Sequence, residues 1–364
     1  NGTTATTVTY TNSQSVNNLT NTNGGTIKLY AIFKRNVTFK SAASGGTSKT
    51  VEQRYNPHVT SQVTSVTPPA LAAVTNWTAL GYRTDATDAA ATAVTTGTVK
   101  PAYNSTALTY YGVYSRQITF KSGAPTGTAV ATKPTQYLNV NGNKVSAVSA
   151  PVPTAITNWT VLGYRADTQA ANKSYTVTTQ AANISPAYTT GNTMYAVYSR
   201  TLTIKYAGNS NTGGSTANTT KTIYLNSNQA TTSSQEVTLA ANGFTRTGYT
   251  FSKWTIGSTD YTGGASYTAG LAYNTTSFEV TATAKWTVNT YTVEYYQGNN
   301  TTTAGATKLT SSSHTYGTEK TLTAYSGTAP SGWTFAGWSA NNGTTATAVT
   351  YTNSQSVNNL TATN

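Results

Sequence analysis

The chain has 364 residues, 22 of them Lys or Arg against 9 Asp or Glu, for a formal charge of +13. Aromatic residues reach 11%, with 26 Tyr, which excludes a disordered chain poor in such side chains. Cysteine is absent, which excludes disulfide and thiolate chemistry, and no run of cations exceeds Lys34-Arg35, whereas nucleic-acid binders gather theirs in a patch or stripe.

Thr, Tyr, Gly and Asn dominate where helical periodicity is missing, so the expected fold class is mainly β. Residues 1–35 read as the C-terminal half of a repeat module closed by a strand at 29–33 (LYAIF). A full module at 36–116 opens on the alternating residues 37–40 (VTFK), carries Asn76-Trp77-Thr78-Ala79-Leu80-Gly81-Tyr82-Arg83, and closes on 110–114 (YYGVY). Apolar and polar residues alternating in this way predict a strand with one buried face. The module at 117–200 repeats the pattern with 118–121 (ITFK), 158–165 (NWTVLGYR) and 194–198 (MYAVY). Trp77 and Trp159 stand 82 residues apart. A third module at 201–287 has 202–206, 248–254 (GYTFSKW) and a closing strand over 280–286. Residues 288–364 supply the N-terminal part of a fourth, with 291–295 and 332–338 (GWTFAGW). Its completion is expected from a following copy equivalent to 24–35.

Residues 1–23 and 342–364 are nearly the same sequence, differing only at Thr7/Ala348 and Asn21/Ala362. The simplest account is a super-repeat of 341 residues that recurs in a longer parent. The rival account is head-to-tail exchange of half-modules between subunits.

Four aromatic pairs recur: Trp77/Tyr82, Trp159/Tyr164, Tyr249/Trp254 and Trp333/Trp338. Five positions along a strand separate the two faces, so at most one of each pair is expected in a one-sided core. The other is expected to pack between modules, with stacking on sugars or joining of chains as the alternatives. Cations mark the junctions: Arg35, Lys40, Arg116, Lys121, Arg200 and Lys205. The junctions lack Gly/Ser or Pro linkers, which predicts a stiff rod. Arg35, Val37 and Phe39 share a parity, so a continuous strand would bury the arginine. A bend or bulge that turns each junction Arg outward is therefore expected. There it would protect an edge, or bind an anionic cell-wall or mucin polymer.

The opening strand at 291–295, the Gly-aromatic-Thr-Phe-x-x-Trp segments at 248–254 and 332–338, and the closing Ala284-Lys285-Trp286 resemble the Listeria–Bacteroides repeat, the internalin B-repeat type of module. The resemblance implies small β-grasp-like units in tandem on bacterial surface proteins. A β-grasp unit normally includes a helix; the Thr-rich segments predict that any helix is short or degenerate. The modules at 36–116 and 117–200 depart from the pattern, with Tyr82 and Tyr164 as second aromatic and Tyr-Ser-Arg at the close.

His58 and His314 fall at non-equivalent positions and the acids share no repeated spacing, so no catalytic, metal or cofactor site is expected. No stretch predicts membrane insertion. The reading is a non-enzymatic structural stalk or filament segment of a giant extracellular repeat protein, partnered by further copies of its own repeat. The alternative is an adhesin module that binds glycans or anionic cell-surface polymers.

Overall fold

The structure is a computed structural model that describes residues 6–43, 46–58, 62–85, 89, 94–124, 126–130, 133–298, 307–340 and 348–363. Of the near-identical chain ends, positions 1–5, 342–347 and 364 lie outside this range. The described chain is mainly β; among its residues the one helical element is a 3-10 turn at Asn141–Asn143. Two compact units divide it. The first holds Asn1–Arg200, Tyr224–Ser233 and Ala272–Asn274; the second holds the remainder.

In the first unit, β1 (Phe33–Lys40) pairs antiparallel with β2 (Ser48–Tyr55). On its other edge β1 runs parallel to β4 (Thr109–Gln117), which pairs antiparallel with β3 (Thr78–Arg83). The order is thus β2-β1-β4-β3, with a parallel pair at the centre. The predicted alternation holds in β1: Val37 and Phe39 are fully buried and Lys40 is exposed. They pack with Val66, Tyr82, Val99 and Tyr110. Each large apolar side chain so buried contributes about 1.5–3 kcal/mol against chain entropy.

The same arrangement follows along the chain. β5 (Thr119–Ser122) pairs with residues 128–129 and runs parallel to the start of β8 (Thr193–Ala207). β7 (Thr160–Arg165) lies antiparallel to β8. β6 (Thr135–Asn139) pairs with the second half of β4. In the second unit, residues 203–207 of β8 run parallel to β10 (Glu279–Val288), which pairs antiparallel with β9 (Tyr249–Ile256). A long hairpin follows, β11 (Thr290–Gln297) with β12 (Thr307–Thr315).

The expected bend at the junctions is corrected by the register. β1 pairs with β2 without a shift from Phe33 to Lys40, straight through Arg35. β4 pairs with β6 unshifted from Val113 to Gln117, through Arg116. Irregularities fall instead in the aromatic strands, between Ala79 and Gly81, Val161 and Gly163, and Phe251 and Lys253, and once in β11, between Tyr295 and Tyr296. At Gly163 (φ +137°) an added Cβ would lie 1.9 Å from the Tyr175 carbonyl oxygen. Only glycine fits so close an approach of two backbones.

Candidate functional site: the joint between segments

Each motif aromatic leaves the same tight turn. Trp77, Trp159, Tyr249 and Trp333 donate their backbone N–H to the carbonyl three residues back, all at 3.0 Å. The residue just before each aromatic has positive φ: Asn76 and Asn158 at 65°, Gly248 at 74° and Gly332 at 79°. Asn and Gly tolerate that conformation best, which accounts for Asn in the first two motifs and Gly in the last two.

The second aromatic of each pair enters a core. Tyr82 meets Phe39 edge-on at 5.2 Å between ring centroids, and Tyr164 meets Phe120 at 4.9 Å. Trp254 is fully buried against Tyr206 and Phe251, and its Nε1 donates to the Ala240 carbonyl at 2.9 Å. Trp338 is half-buried beside Tyr295 and Phe335.

The first aromatic forms a joint. Trp77 packs with Tyr114 and Leu138, and its Nε1 donates to the Tyr188 carbonyl at 3.0 Å. The Arg116 guanidinium stacks on the indole, 4.3 Å from its centroid. Trp159 repeats the bond, donating to the Tyr273 carbonyl at 2.9 Å. Tyr249 instead stacks under Arg246 at 3.9 Å and touches Tyr316. Trp333 is 75% exposed.

Arg116 is 4% exposed, contrary to the outward turn the sequence implied. Its charge is met by neutral acceptors: Gln136 Oε1 at 2.9 Å, and the carbonyls of Pro186, Ala187 and Thr190 at 3.2, 2.9 and 2.6 Å. A planar guanidinium with five donors suits such a cage, and a satisfied buried cation needs no bulge to reach solvent. Burial lowers its pKa from the ordinary arginine value. Arg35 is held alike, by Gln53 Oε1 at 2.9 Å and the carbonyls of Pro101, Ala102, Tyr103 and Ser105. Arg200 is half-buried, and burial lowers its pKa too. The junction lysines are different. Lys40 and Lys121 lie 5.6 and 5.9 Å from the ring centroids of Tyr111 and Tyr195, and Lys205 pairs with Glu279 at 2.7 Å.

Sequence reasoning missed the acceptors. Gln53 and Gln136 occupy equivalent places, as do the Ala-Tyr steps at 102–103, 187–188 and 272–273. Recurrence was the available signal, but a set of carbonyl acceptors has no side-chain signature. A second repeated feature was also missed. Asn56, Asn139 and Asn226 are buried, and each side-chain Oδ1 accepts from the backbone N–H two residues on, at 3.0 Å.

Titratable groups are scattered. Asp167, Asp260 and Glu294 have pKa values held low by the hydrogen bonds of Arg165, Lys285 and Lys308. His314 is buried, stacked on Tyr291 at 5.5 Å, with Nε2 2.8 Å from Ser312 Oγ. Among the described residues no three His, Asp or Glu gather as a metal site would require. No helix among them is long and apolar enough to cross a membrane. No family model matches the chain, and neither a curated protein nor a solved structure matches it.

Proposed function

We propose that the chain is a structural stalk or filament segment of a giant tandem-repeat extracellular surface protein, built of β-grasp-like modules of the Listeria–Bacteroides repeat type. The observation that carries this reading is the recurring joint. Trp77 bonds the Tyr188 carbonyl while Arg116 stacks on its indole, and Trp159 bonds the Tyr273 carbonyl. Bending such a joint would strip several hydrogen bonds from a buried cation at once, so it resists load. The parallel centre of the β2-β1-β4-β3 order supports both parts of the proposal. Tension entering along β1 and leaving along β4 shears all their shared hydrogen bonds together instead of opening them singly.

Small-angle scattering from the dilute chain tests this. The stalk reading expects the profile of a stiff, elongated particle; a freely hinged profile overturns it. The exposed Trp333 favours a second reading, an adhesin for glycans or anionic polymers. A glycan array that binds the chain but not its Trp333→Ser variant would replace the stalk with that reading.

A further inference from the structure

The two caged arginines differ in one respect. Trp77 covers Arg116 within a cluster that includes Tyr114, Leu138 and Tyr188. The equivalents around Arg35 are Phe33, Tyr55 and Tyr103. These line an open cavity of about 190 Å³. Phe33 is 57% exposed there, whereas Tyr114 is fully buried. The side chain that fills the matching place in the motif at 332–338 is Trp333, itself exposed and presented by the same turn as Trp77.

A second mismatch accompanies the first. Every other opening strand has a parallel neighbour in one fixed register: Phe39 opposite Tyr110, Phe120 opposite Met194, Ile204 opposite Val280. The backbone bonds match as well, from Thr38, Thr119 and Thr203 to the carbonyls of Leu108, Asn192 and Phe278, at 2.8, 2.8 and 2.9 Å. β11 pairs only with β12 among the described residues, and no described strand lies along its other edge. The closing segment at 29–33 likewise pairs with no opening strand over its first residues, and Leu29 is 66% exposed. Carried over, the register sets Val293 opposite Leu29 and Glu294 near Lys28. That is the Lys205–Glu279 ion pair with its signs exchanged.

We propose that two copies of the chain join head to tail: Trp333 of one copy seats on Arg35 of a second, whose residues 28–33 add as a parallel strand beside β11. This rests on the structural reading above and names its end-to-end partner. Strand addition supplies main-chain hydrogen bonds, and the aromatic in its cavity supplies register. The contact is heterologous, so it propagates instead of closing into a dimer.

Sedimentation velocity over a concentration series tests it. The unaltered chain is expected to lengthen into oligomers as concentration rises. Trp333→Ser and Phe33→Ser each change one exposed side chain, and each alone is expected to stay monomeric with an unchanged circular dichroism spectrum. An equimolar mixture of the two is expected to stop at dimers, since one variant keeps the cavity and the other keeps the tryptophan. A chain that stays monomeric at every concentration overturns the proposal. So do variants that assemble like the parent, or a mixture that stays monomeric. These outcomes leave the stalk reading standing, because that reading depends on the scattering of the single chain.

Discussion

A buried cation with no carboxylate partner is costly unless every donor is satisfied. At Arg116 the acceptors are Gln136 and three backbone carbonyls, so the residue joins the Gln136 amide, on the Pro186 carbonyl, and the Trp77 indole, on the Tyr188 carbonyl, in fixing the loop at 186–190. Arg116→Met fills the volume but strands Gln136 Oε1 and the Thr190 carbonyl. It is expected to cost about 3 kcal/mol in chemical denaturation. Arg116→Lys is expected to recover only part, because an ammonium lacks the planar fork. His314 gives a pH signature. Burial, and then the charge of Lys320, lower its pKa in the folded chain. The unfolded chain therefore takes up the proton first as pH falls. The stability that neutral His314 contributes is complete above its unfolded value of about 6.5 and declines as pH drops below that, toward the lower folded value. Melting temperatures measured across this window are expected to fall, and His314→Phe is expected to flatten the dependence.

At the scale of elements, the strands were legible and their irregularities were not. The alternation in 37–40, 118–121 and 202–205 set one apolar face, and Val37, Phe39, Ile118, Phe120, Leu202 and Ile204 are all fully buried. The aromatic spacing was legible as well: Tyr82 goes to its own core and Trp77 to the joint with the next segment. Bulge positions were not, because a bulge is set by the partner strand. Parity alone placed the distortion at the arginine; the register shows it beside Gly81 and Gly163. Gly163→Ala is expected to cost at least about 2 kcal/mol, since its Cβ would meet the Tyr175 carbonyl at 1.9 Å in a backbone conformation unfavourable to alanine. An alanine at Gly191, with nothing within 4 Å of its Cβ and no positive φ, is the control, expected within about 0.5 kcal/mol of the parent. Thermal denaturation of the two variants makes the comparison.

At the scale of the whole molecule the near-identical ends form an experiment within one chain. Local geometry is the same in both. Thr11 N–H donates to Gln14 Oε1 at 2.8 Å and Thr352 N–H to Gln355 Oε1 at 2.8 Å. Ser13 and Ser354 have φ of 60° and 58°, and Asn18 and Asn359 have φ of 55° and 56°. Burial differs. Val16 is 45% exposed and Val357 only 6%, packed with Tyr295 and Leu322. The sequence by itself determined the strands, the turns, the repeat and the residue types at each joint, because these follow from steric limits and side-chain chemistry within a few residues. Only the tertiary structure decided which arginine is caged and covered, where a strand bulges, and which copy of an identical segment is buried. Those outcomes depend on atoms brought close from distant parts of the chain, and one sequence met by different neighbours has no single answer to them.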